Sequence, residues 1–112
     1  LKRTRFKQGD IITLNFTPQK GHEQNGKRPA LVISNEAYHR HTNLAVVCPI
    51  TNTNNGFPMH IPLDEQTATT GFILCEHLKS MDLRARKAAY VESISSDLLN
   101  AVLERVNLIF IQ

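Results

Sequence analysis

The chain has 112 residues, 41% of them hydrophobic and 21% charged, with a formal net charge of +3 at pH 7 and a pI near 9.1. That length supports one core and not two, and the composition shows neither the charge excess of a disordered tail nor the bias of a fibre. The positive balance is too slight for a protein that simply coats nucleic acid, so where the cations sit matters more than their sum.

Lys2, Arg3, Arg5 and Lys7 form a basic N-terminal arm. The chain begins at Leu1 and not at an initiator methionine; no charged-then-apolar leader stands at its start and no apolar run is long enough to span a bilayer, so a cytoplasmic protein without membrane contact is expected. After the turn-like pair Gly9-Asp10, Ile11 to Phe16 alternates, with Ile12, Leu14 and Phe16 on one face, the period of a half-buried strand. Thr17 to Lys27 holds Pro18, Gly21 and Asn25-Gly26 and no apolar residue, which makes it a surface loop. Pro29 to Ile33 is nearly continuous in apolar residues and reads as a central strand covered on both faces, with Pro29 tolerated only at its first position.

Ser34-Asn35-Glu36 offers a cap and an acidic first turn for a short helix through about Arg40. Leu44 to Ile50 is another apolar strand, followed by the polar loop Asn52 to Gly56. Two prolines between Phe57 and Leu63 make that run an edge strand. Asp64 to Thr70 reads as a loop, Gly71 to Leu78 as a strand, and Ala88 to Glu92 as a short additional one. Lys79, Arg84, Arg86 and Lys87 make a second basic cluster. At the end, Ser95 or Ser96 caps a helix whose residues Leu98, Leu99, Val102, Leu103, Val106, Ile109 and Phe110 recur at three- and four-residue steps, a core-facing stripe that lids the sheet. The sum is about six short strands and two helices, a mainly β (α+β) chain: a small, twisted antiparallel sheet or partly open, SH3-like barrel, in one domain spanning residues 1–112.

Cys48 and Cys75 lie inside apolar runs and are read as reduced, structural thiols. Neither they nor His39 and His41 have the spacing of a metal site, and the glycines lack the strand-to-helix setting of a phosphate loop, so no metal and no cofactor is expected. Two polar loops at strand ends remain, with the segment Glu76 to Arg86. Cleaving an RNA phosphodiester in line requires a group to take the 2′-hydroxyl proton, a cation for the charge growing on phosphate, and a proton donor for the leaving oxygen. Arg28, with Glu23 or His22 and the Thr51 hydroxyl, supplies those types, and a guanidinium fork suits phosphate. The plain reading of the same residues comes first, however: a surface arginine opening a strand, two solvated loop residues and a turn hydroxyl, in a basic β-rich domain.

The string Lys20-Gly21-His22-Glu23-Gln24-Asn25-Gly26-Lys27-Arg28-Pro29-Ala30-Leu31-Val32 resembles the signature of the MazF/PemK (Kid) toxin family. The likeness extends in order through Gly9-Asp10-Ile11, Val47-Cys48-Pro49-Ile50-Thr51 and Glu76-His77-Leu78-Lys79-Ser80-Met81-Asp82, covering nearly the whole chain. It implies a homodimeric toxin of a type II toxin–antitoxin module, a metal-independent, sequence-specific endoribonuclease (mRNA interferase) that cuts single-stranded mRNA to leave 2′,3′-cyclic phosphate and 5′-hydroxyl ends. It also implies a cognate antitoxin whose disordered acidic tail covers the RNA groove. Carried over by position, the catalytic residues are Arg28, Thr51 and Glu23. His22, Gln24, Lys27, Asn52, Glu76 and Lys79 are the expected RNA contacts, because unstacked bases are read on their edges by polar loops and backbone phosphate by cations. Phe16, Phe57 and Tyr38 are read as core or edge residues and not as stacking platforms. Kid-type members carry an arginine and an aspartate on either side of the cysteine matching Cys75; here Leu74 and Glu76 stand there, which favours the MazF-like arrangement. Two rivals remain: a gyrase-poisoning toxin of the CcdB type on the same fold, and a passive RNA-binding barrel.

Overall fold

The computed structural model of the chain describes residues 5–16, 26–54 and 56–111. Among these residues seven strands and two helices follow one another as β1 (Asp10–Asn15), β2 (Lys27–Val32), α1 (Glu36–Thr42), β3 (Ala45–Thr51), β4 (His60–Pro62), β5 (Phe72–Leu74), β6 (Lys79–Met81), β7 (Ala89–Ser93) and α2 (Ser96–Asn107). All pairings are antiparallel, in the order β4-β5-β3-β2-β1-β7, with β6 also on β3. The sheet is thus open, its outer strands being β4 and β7.

Strand alternation divides the core in two. Ile11, Leu31, Ile33, Cys48 and Ile50 face one side, where Val102 and Val106 of α2 cover them. Ile12, Leu14, Ala30, Val32 and Val47 face the other, closed by Phe6, Met81 and Leu83. The helix therefore lids the sheet as its periodicity predicts, capped by Ser95, whose side chain accepts from the Leu98 N–H. The stripe stops sooner than expected: α2 ends at Asn107, and Leu108, Phe110 and Ile111 are each more than 60% exposed, with Ile109 exposed beside them. Both cysteines are free thiols in the first core. Burial first, then the neighbouring Cys75 and Glu76, pushes Cys48 up to about 12; burial, partly offset by Arg105, pushes Cys75 up to about 11. Neither ionises at neutral pH.

Two strands differ from the sequence reading. The polar Lys79-Ser80-Met81 is a strand, β6, in which only Met81 turns inward, and three residues are too few to show a period. Correspondingly, the strand read over 71–78 is confined to Phe72–Leu74, with a turn before β6.

Pro29 is the larger correction: it stands third in β2, opposite Thr13 of β1, not first. Ile33 N–H donates to the Val46 carbonyl of β3, and N–H directions alternate along a strand, so residue 29 also presents its nitrogen to β3. A proline there has nothing to donate, and the β2–β3 ladder runs only from Ala30↔Pro49 to Val32↔Val47. Pro49, in turn, stands between the part of β3 that pairs β6 (residues 45–47) and the part that pairs β5 (residues 50–51). Two prolines thus release β3 from its neighbours where the strands must separate. A cleft opens there.

Candidate active site

The cleft has a volume of about 410 Å³ and is bounded by Phe16, Arg28, Pro29, Pro49, Ile50, Thr51, Asn52, Leu74 and Lys79. It unites Arg28, Thr51, Asn52 and Lys79, residues brought together from β2, the end of β3 and the start of β6. Arg28 pairs with Leu14 across the ladder and is exposed. Its planar guanidinium is a fork suited to an anion.

The Thr51 hydroxyl accepts from the Thr53 N–H at 3.2 Å, an ST turn that uses a lone pair and leaves the hydroxyl proton to be donated. Asn52 Oδ1 accepts from the Thr70 hydroxyl at 3.0 Å, which leaves its amide NH₂ as the outward donor. Gly71 packs beneath this segment at φ +124°, where a Cβ would come within 2.7 Å of the Thr51 carbonyl oxygen. The arrangement offers a guanidinium fork with paired N–H donors, a hydroxyl donor, an amide and an ammonium around one space lined otherwise by proline, isoleucine, leucine and phenylalanine. Chemically, such a set of donors can hold an anion.

Other expected residues lie elsewhere. Lys27 precedes Arg28 in β2, and alternation sends it to the opposite side; it is exposed but outside the cleft wall. His22, Glu23 and Gln24 lie outside the described residues. Glu76 is not in the cleft wall either: Leu74 faces the cleft, Cys75 enters the core, and Glu76 bonds His60 Nε2 at 2.8 Å with His77 Nε2 at 3.2 Å. The second basic cluster divides as well. Lys79 reaches the cleft, whereas Arg86 donates to the backbone carbonyls of Asn15 and Phe16 and ties down the end of β1.

Burial pushes the Glu76 carboxyl up, but the hydrogen bond from His60 and the nearby His60 and His77 outweigh it and hold it below the ordinary carboxylate range. A depressed folded value contributes stability above the unfolded glutamate pKa of about 4.3, and that contribution is lost as pH falls through the folded value. Urea midpoints measured at about pH 6 and about pH 3 should therefore fall further in the wild type than in Glu76→Gln. Equal losses would show that the His60 bond does not form in solution.

Phe16 is the core or edge residue expected, and it and the two prolines are also part of the cleft wall, which the sequence does not show. Phe16 packs on the second core and also walls the cleft. Its signal was present in the alternation, which carries it one step past the last ladder pair, Asn15↔Lys27. Phe57, half exposed, stands edge-on to His60, and the Tyr38 hydroxyl bonds Ser80; neither lines the cleft.

With the site in view, comparison with known proteins gives consistent matches. The family model described as PemK-like, MazF-like toxin of type II toxin-antitoxin system matches residues 7–110. Endoribonuclease PemK of Escherichia coli is 31% identical over 113 residues, covering 96% of this chain and 84% of its own length. The endoribonuclease toxin MazF of Escherichia coli strain K12 is 33% identical over 101 residues, 90% of each protein. Among solved structures, MazE-MazF from Deinococcus radiodurans (Form-II) superimposes with a TM-score of 0.81 at 38% identity, over 92% of this chain and 93% of that one.

Proposed function

The chain belongs to the PemK-like, MazF-like toxins of type II toxin–antitoxin systems, and from that premise we propose that it is a single-domain toxin acting as a metal-independent endoribonuclease on single-stranded mRNA. The observation that carries this reading is the convergence of Arg28, Thr51 and Lys79 on one cleft. The 2′-oxygen attacks the adjacent phosphorus and the bond to the 5′-oxygen breaks, leaving a 2′,3′-cyclic phosphate and a 5′-hydroxyl. One proton leaves the 2′-hydroxyl and one reaches the departing oxygen. Arg28 holds the charge that builds on the non-bridging oxygens and carries a proton, Thr51 donates to one of those oxygens, and Lys79 anchors a neighbouring phosphate. Asn52 reads a base edge. Glu23 orients Arg28, and His22, Gln24 and Lys27 contact the strand outside the cleft.

The protein works as a homodimer in the cytoplasm. The exposed Leu108–Ile111 segment and the apolar groove of about 280 Å³ formed by Ile33, Val46, Leu78, Leu103, Val106 and Phe110 support the dimer. Among the described residues, no helix is long and apolar enough to cross a membrane. A MazE antitoxin accompanies the Deinococcus radiodurans relative, and here a cognate antitoxin with an acidic tail would satisfy Arg28 and Lys79 in the same cleft. The gyrase-binding alternative is not favoured, since the similar proteins are endoribonucleases.

The test is incubation of the purified chain with mixed-sequence single-stranded RNA in EDTA. Cleavage with cyclic-phosphate ends is expected. RNA that stays intact on long exposure, with gyrase inhibited instead, would overturn the reading.

A further inference from the structure

The strand order sets β4-β5 at one end of the sheet and β7 at the other, yet the loop between β4 and β5 is held by a β7 side chain. Glu92 of β7 accepts from the Ala68 N–H at 3.1 Å, the Thr69 N–H at 2.7 Å and the Thr69 hydroxyl at 2.7 Å. One carboxylate thereby closes the open sheet where no ladder does. The residues that follow the clasp lead directly to the cleft: Thr70 bonds Asn52, and Gly71 packs against the Thr51 carbonyl. The hydroxyl of Thr51 is set by the turn through Asn52 and Thr53. The three bonds to Glu92 hold its carboxyl below the ordinary range, so the clasp is ionised at neutral pH.

We propose that Glu92 is a positioning residue for the cleft, fixing the Thr51–Asn52 turn through Thr69, Thr70 and Gly71 although it lines no part of the cleft itself. This rests on the ribonuclease reading given above. A loop tied only by its own hairpin would let Thr51 sample several hydroxyl directions, and a donor counts in catalysis only where it meets the developing charge. The carboxylate suits the task because it accepts only: three donors converge on it, and an amide at that place would set its own N–H₂ against one of them.

The experiment measures steady-state cleavage of a single-stranded RNA oligomer by the wild type, Glu92→Gln and Thr70→Val. The last cuts the relay nearer the cleft and leaves the bonds of Glu92 intact. Ser95→Ala, which removes the α2 cap, is the control for simple loss of stability, and all are assayed where circular dichroism shows them folded. Both relay variants should lower kcat about fivefold with KM held within about twofold, and the loss from Glu92→Gln should vanish on a Thr51→Ala background. An unchanged kcat for Glu92→Gln, a loss equal to that of Ser95→Ala, or the same loss on the Thr51→Ala background would each overturn the proposal. A wild type that cuts no RNA would overturn the ribonuclease reading instead.

Discussion

Arg28→Ala is expected to slow cleavage of single-stranded RNA by roughly a hundredfold or more, the scale for removing one charge-stabilising donor from a preorganised site. The side chain stands exposed at the point where β2 leaves its ladder with β3, bounding the cleft that also holds Thr51 and Lys79. Its charge is placed before the substrate arrives, so little reorganisation accompanies the transition state. Binding should weaken far less than turnover, because Lys79 remains to hold phosphate. Arg28→Lys is the informative companion: it restores the charge without the planar fork, and an intermediate rate would assign part of the effect to bidentate geometry. Rapid-quench measurement of a single turnover separates these from slow product release. Cleavage at the wild-type rate by Arg28→Ala would remove the residue from the site, and a passive RNA-binding barrel predicts no cleavage from either protein.

The candidate site is legible in the sequence unevenly. Arg28 and Thr51 could be placed at strand ends because each flanks a strong apolar run, but residue types alone favour a surface arginine and a turn hydroxyl, and only the family resemblance singles them out. Lys79 was readable as a cation but not as the first residue of a strand, since β6 carries a single buried side chain. Glu76 lies outside the cleft wall. Its place beside Cys75 in the family resemblance makes it an expected RNA contact, whereas the turn after β5 hands its carboxylate to His60, a residue sixteen positions earlier that no local pattern links to it. The prolines carried the opposite lesson. Rules of propensity confine proline to edges and first positions, which makes Pro29 a boundary by sequence. In the sheet it is an interior residue whose missing N–H is what lets β2 and β3 diverge, and the exception to the rule coincides with the cleft. Glu92 was invisible for a simpler reason: a carboxylate on a short, exposed strand becomes a clasp only once the sheet curls and brings its two ends together.

Gly71→Ala is expected to lower both stability and activity, and by a mechanism that links them. At φ +124° the backbone lies outside the region open to residues with a side chain, and the added Cβ would stand 2.7 Å from the Thr51 carbonyl oxygen, 3.1 Å from its carbon and 3.2 Å from Ile50 Cγ2. Two of those atoms are backbone of β3, which pairs β5 at Ile50↔Ile73 and Thr51↔Phe72 and cannot swing aside like a flexible side chain. Either the β5 start withdraws or the Thr51 end of β3 shifts, and in both cases the threonine hydroxyl leaves its place in the cleft. Strain of this kind with a backbone clash costs about 2–4 kcal/mol, a fall in Tm on the order of 10 °C for a chain of this size. Gly56→Ala is the discriminating partner. Gly56 also has a positive φ, +69°, but a Cβ there meets nothing within 4 Å, so it should cost about 1 kcal/mol and leave cleavage unaltered. Thermal scans and initial rates of the two variants side by side decide the matter. Equal Tm values would mean that φ alone sets the cost, and an active Gly71→Ala with lowered Tm would mean that Thr51 keeps its position when β5 moves.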